Sequence, residues 1–92
     1  MRWTGDDRKF RENLLKHGLD FVTAQFVFDD PLSVSRPDWF SGEERWQTIG
    51  VTGDVCVLVI HTLSAEDEET GRIISARRAT RNERKDYEEG NF

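Results

Sequence analysis

The chain has 92 residues, of which 34% are charged and 36% hydrophobic, and its formal net charge is −5 at pH 7. That length makes one small domain near the lower limit for burying its own core, which six Phe, three Trp and one Tyr must largely supply. No apolar run is long enough to span a membrane, Met1-Arg2-Trp3-Thr4-Gly5 lacks the apolar stretch of a secretory signal, and the single Cys56 excludes an internal disulfide; together these predict a cytoplasmic setting.

The first helix is predicted from about Asp6 to His17. Thr4 or Asp6 can cap it, and Asp6 and Asp7 suit the positive end of its dipole. Phe10, Asn13, Leu14 and His17 share one helical face, and Gly18 is a left-handed stop. A second helix follows at once, capped by Asp20, with Phe21, Ala24 and Phe28 on one stripe and Asp29-Asp30-Pro31 ending it.

Strand patterns then take over. Residues 32–36 alternate as a short strand, and residues 37–44 form a polar loop holding Trp39 and Phe40. Residues 45–52 form a second strand with Arg45, Gln47, Ile49 and Val51 on one face, and Thr52-Gly53-Asp54 turns the chain. Residues 55–62 are almost all apolar, which predicts a central strand covered on both faces, with His61 facing the same way as Val55, Val57 and Val59. An acidic loop, Glu66-Asp67-Glu68-Glu69, leads to a fourth strand over 72–77. Thr80 and Glu83 are spaced as a capping box for a third helix that runs to about Glu89 and stops at Gly90. The order is αα-ββββ-α, an α+β domain with two N-terminal helices, a four-stranded antiparallel sheet and a C-terminal helix. That last helix has Tyr87 as its only large apolar side chain and little else to bury.

Charge is distributed unevenly. From Arg72 to Lys85 there are six basic residues (Arg72, Arg77, Arg78, Arg81, Arg84, Lys85) and only Glu83 as an acid, which is +5 locally against −10 for the remainder. Such a reversal concentrates positive potential where the rest of the surface repels anions.

With the elements in order, the sequence resembles a known family. Lys9, Asn13 and Lys16-His17-Gly18, then Phe21, Ala24, Val27-Phe28 and Asp30-Pro31, resemble the N-terminal pattern of BrnT toxins. Glu44-Arg45, Ile49-Gly50, the 57–62 strand ending in His61-Thr62, and Ile73-Ile74-Ser75-Ala76-Arg77-Arg78-Ala79 with Glu83-Arg84 and Tyr87 continue it. Two departures stand out: Trp3 and Gly5 occupy the place of a Trp directly before the first helix, and Leu63-Ser64 replaces a basic residue after His61-Thr62. The resemblance implies the ribonuclease toxin half of a type II toxin–antitoxin pair, with a RelE-like fold. It also implies a BrnA-like protein antitoxin, and operator DNA bound only through that antitoxin.

RNA can be cut without a metal because its own 2′-hydroxyl is the nucleophile; the protein then needs a base, a cation for the phosphate and an acid for the leaving oxygen. Arg77 is the expected phosphate ligand, its alternative being an ion pair with Glu83. His61 is either a proton carrier titrating near neutral pH or a hydrogen-bonded residue in a buried strand, and the expected geometry puts it on a rim shared with Arg77. Glu83 is a proton carrier or a cap, and Tyr87 an acid, a stacking platform or an anchor. Arg78, Arg81, Arg84 and Lys85 are expected to hold the RNA backbone or, equally, an acidic antitoxin surface; Arg45, Lys16 and His17 are further RNA-binding candidates, His17 having the alternative of favouring its helix dipole. His17, His61 and Cys56 share no ligand spacing, so neither a metal nor another cofactor is expected. The competing reading is an antitoxin-binding co-repressor subunit with weak or no catalysis, suggested by the net acidity and by the missing basic residue after Thr62.

Overall fold

The computed structural model describes residues 2–4, 7–38, 44–63 and 70–92. These form β1 (Arg2–Thr4), α1 (Asp7–His17), α2 (Phe21–Ala24), a 3₁₀ helix (Gln25–Asp29), β2 (Val34–Asp38), β3 (Arg45–Thr52), β4 (Val55–Leu63), β5 (Thr70–Arg78) and α3 (Arg81–Glu89). The expected cap Asp6, the loop residues Trp39 and Phe40 and the acidic run 66–69 lie outside the described residues.

The sheet order is β1-β5-β4-β3-β2. The four expected strands pair antiparallel in sequence. A fifth, β1, adds a parallel edge along Thr70–Arg72; three residues carry too little periodicity to announce a strand. β2 begins two residues later than expected and includes Pro37, which an outer strand tolerates because one of its edges makes no ladder bonds.

The second helix is shorter than expected. Asp20 caps it by accepting from the Thr23 amide at 2.6 Å, but after Ala24 the chain tightens into a 3₁₀ turn. The tighter winding makes Val27 the fully buried residue and leaves Phe28 half-buried. β3 accommodates this turn at Gly50, where a Cβ would stand 2.9 Å from Val27 Cγ1 and 3.0 Å from the Val27 carbonyl oxygen.

One face of the sheet carries Val57, Val59, Ile73 and Ala76 against Leu19, Phe21, Ala24 and Val27. Phe10 of α1 meets Phe21 edge-on at 5.8 Å. Each large apolar side chain fully buried here contributes about 1.5–3 kcal/mol. Leu14, predicted on the inward face, is 43% exposed. On the other face Ile49 and Leu58 lie opposite one another and are buried. The C-terminal segment crosses that face: Arg36 stacks on Phe92 at 4.0 Å, and Tyr87 bonds to Asp30.

A β-bulge shapes the far end of the β4–β5 pair. Ile60 faces Ser75 but His61 faces Ile73, so Ile74 is the extra residue. Past the three residues that pair with β1, the outer edge of β5 is met by Asn13 of α1. Its amide donates to the Ala76 carbonyl at 2.9 Å and its carbonyl accepts from the Ala76 amide at 3.1 Å. The side chain thus repeats the two-way exchange that a neighbouring strand would make.

Candidate functional site

The site is built where β5 hands over to α3. Pairing with β4 continues to Arg78 opposite Val57, and the Ala79 amide then donates to the Cys56 carbonyl at 2.9 Å. Thr80 starts α3 in an extended conformation and accepts from the Glu83 amide at 3.2 Å, while Glu83 accepts from the Thr80 amide at 2.8 Å. The capping box is therefore present as the spacing predicted.

Arg77 points from β5 to the same carboxylate. Its two terminal nitrogens donate to the two Glu83 oxygens at 2.7 and 2.9 Å, and one also donates to the Arg78 carbonyl at 3.3 Å. Three of the five guanidinium N–H groups are thereby engaged and two remain. The Arg77 hydrogen bonds, aided by those from Thr80, hold the Glu83 carboxyl down at about 2. The same pair pushes Arg77 upward. At neutral pH the two side chains form a charge-compensated fork whose orientation is set by the start of α3.

Beside this pair stand exposed cations. Arg78, Arg81, Arg84 and Lys85 are all on the surface, and Arg84 bonds to Glu88 one turn on at 3.1 Å. Arg81, Asn82, Arg84, Lys85, Glu88 and Ala79 line an open hollow of about 930 Å³. Lys16 and His17 close α1, with Lys16 exposed and His17 half-buried. They lie on the side of the sheet that also receives Arg78, because Arg78 shares a face with Ala76 and Phe10 of α1 packs on the apolar cluster of that face.

His61 does not share a rim with Arg77, which corrects the expectation. On β5 it faces Ile73, four positions before Arg77, and the two project to opposite faces of the sheet. It is 3% exposed, and its ring meets Phe28 edge-on at 4.9 Å. Thr48 lies 2.7 Å from Nε2, Ser35 lies 2.7 Å from Thr48, and the Thr62 carbonyl is 3.5 Å from Nδ1. A ring protonated on Nδ1 satisfies both its contacts. Burial pulls the imidazole down to about 4, against the smaller upward pull of the Thr62 carbonyl, so His61 is neutral at pH 7 and does not titrate near it.

Two other candidates are tied into the fold. Tyr87 donates to Asp30 at 2.5 Å; that bond, with burial, pushes its hydroxyl up to about 12. Asp30 is lowered by the same bond, opposed by burial and supported by the Leu32 and Val51 amides. Arg45 pairs with the buried Asp38 at 2.9 Å. It also lies on the start of β3, about 13 Å along the sheet from the level of Arg77 at ~3.3 Å per residue.

Asn13 and Asp30 are the positioning residues that reading for chemistry passed over. The signals were present: a carboxamide among the apolar positions of the first helix, and an Asp directly before Pro31. Among the described residues no three His, Cys, Asp or Glu side chains converge as metal ligands, and no helix is long and apolar enough to cross a membrane.

Residues 6–83 match the family described as the ribonuclease toxin, BrnT, of type II toxin–antitoxin systems. The chain is also similar to the crystal structure of the Brucella abortus ribonuclease toxin BrnT, with 26% identity and a TM-score of 0.64, over 88% of this chain and 99% of that one. No curated protein matches the sequence.

Proposed function

The chain belongs to the BrnT family of ribonuclease toxins of type II toxin–antitoxin systems, and from that membership we propose that it is an endoribonuclease that cuts RNA without a metal ion. The substrate's 2′-hydroxyl is the nucleophile, and a BrnA-like antitoxin neutralises the enzyme and carries it to operator DNA. In this reading the fold is RelE-like, as the sequence resemblance implies. The observation that carries this reading is the β5–α3 corner, where an oriented guanidinium with two free donors stands beside four exposed cations.

In this reading Arg77 holds the scissile phosphate with those two donors, and Glu83 sets its angle. Arg78, Arg81, Arg84 and Lys85 hold the flanking backbone. His61 and Tyr87 serve as supports, because one is buried against Phe28 and the other is tied to Asp30. Lys16 and His17, at the end of α1, extend the RNA-binding surface on the side that receives Arg78.

Purified chain incubated with single-stranded RNA in EDTA should yield fragments ending in 2′,3′-cyclic phosphate. Arg77→Ala should slow cleavage at least about 100-fold, the scale of losing one oriented charge-stabilising group. Loss of cleavage in EDTA would refute metal independence. The second reading, an antitoxin-binding co-repressor subunit with weak catalysis, draws on the engagement of Arg77 by Glu83. It would prevail if the folded chain binds antitoxin but neither it nor Glu83→Gln cuts RNA.

A further inference from the structure

The basic corner has a counterpart elsewhere on the molecule. From Gly18 to Ser35 the chain contains no Lys or Arg and three Asp residues, and from Trp46 to Gly71 it again contains no Lys or Arg. The fold brings these two stretches together: the 3₁₀ helix packs on β3, and Asp30 accepts from the Val51 amide at 2.9 Å. The side where the 3₁₀ helix meets the end of β3 thus comes from two stretches without Lys or Arg.

That side is also apolar on its surface. Val22 and Phe26, one helical turn apart, are 56% and 51% exposed, and Leu32 is 71% exposed. Phe26 and Pro31 line an open hollow of about 470 Å³ with Val51, Thr52, Gly53 and the acids Asp29 and Asp30. Tyr87 of α3 bonds to Asp30, and among the described residues Asp29 and Asp30 are the only charged side chains that line this hollow. Large apolar groups exposed beside polar and acidic residues mark an interaction surface. The rim repels nucleic acid, so the occupant is a protein segment with apolar anchors and flanking Lys or Arg.

We propose that the surface formed by Val22, Phe26, Pro31 and Leu32, with Asp29 at its rim, docks a cationic amphipathic segment of the antitoxin, away from the basic corner. The proposal rests on the toxin–antitoxin reading and names the partner's chemistry at a surface that the ribonuclease chemistry does not use. Such an arrangement lets the antitoxin grip the toxin with one segment while another part lies over the β5–α3 corner.

The test is calorimetric titration of the full chain with a purified BrnA-like antitoxin, at low and high salt. Phe26→Ser should weaken binding at least 30-fold and Asp29→Lys about tenfold, the latter chiefly at low salt. Leu15→Ser, an 87% exposed apolar residue on α1, should change binding less than threefold. Circular dichroism melting confirms that each variant folds, and RNA cleavage by Phe26→Ser should equal that of the parent. Binding within threefold of the parent for both Phe26→Ser and Asp29→Lys overturns the proposal. So does a parent chain that self-associates in sedimentation and becomes monomeric with Phe26→Ser, since the surface then belongs to a second copy. If the parent cuts no RNA, the ribonuclease reading fails while the binding comparison still decides this one.

Discussion

At Arg77 the distinction between a structural and a functional side chain is one of donor count. Two terminal nitrogens hold Glu83, and the remaining donors keep the phosphate-binding role open. His61 offers no such reserve, because its ring is enclosed by Phe28, Thr48 and the Thr62 carbonyl. Its effect is on stability. The folded imidazole lies at about 4 against an ordinary 6.5, so between those values the unfolded chain binds the extra proton. Stability is full above pH 6.5, declines as pH falls through the window and levels off below pH 4, for a total of about 3 kcal/mol. Urea unfolding at half-unit pH steps should show this decline, and His61→Gln should flatten it. Glu83, held at about 2, adds a separate loss beginning near pH 4.5, which Glu83→Gln removes.

The elements depend on a few polar ties that local propensity does not reveal. Asn13→Ala leaves the amide and carbonyl of Ala76 unpaired in a buried position and should cost about 2–4 kcal/mol, measured by denaturant unfolding. α3 is a different case. It has a full capping box and no buried residue, so its attachment relies on Arg77–Glu83 and Tyr87–Asp30. Tyr87 is the chain's only tyrosine, so absorbance titration at 295 nm should place its ionisation near 12, and Asp30→Asn should bring it toward 10. Tyr87→Phe should leave the sheet amides protected while hydrogen exchange in α3 accelerates. The stop of α1 at Gly18, the Asp20 cap of α2, β3 and the capping box of α3 were legible in the sequence because each is specified within a few residues. The 3₁₀ continuation of α2 was not, because the contact of Val27 with Gly50 selects it. β1 was not, because its partner lies almost seventy residues away.

Across the described residues, cations gather at the β5–α3 corner, while the hollow between the 3₁₀ helix and β3 is lined by acids and no Lys or Arg. Cleavage should therefore weaken steeply with salt even though the protein is acidic overall. For single-stranded RNA the logarithmic slope is about −0.7 per phosphate contact. Replacing Arg78, Arg81 and Lys85 together by Ala should make the salt dependence of KM shallower by about two units, with the melting temperature nearly unchanged because all three are exposed. A slope identical to that of the parent would remove these residues from the RNA path.

By itself the sequence determined the α+β class, the succession of helices and strands, the capping box, the basic run and the family pattern. All of these are written in local periodicity or in short motifs. Only the tertiary structure decided what the candidates are free to do. A strand's alternation assigns a face but not what covers it, so His61 read equally well as a proton carrier until Phe28, Thr48 and the bulge at Ile74 enclosed it. Spacing placed Glu83 at a helix start, but only the approach of β5 made it the partner that orients Arg77. Availability depends on burial and on partners brought from distant parts of the chain, and those are set by packing.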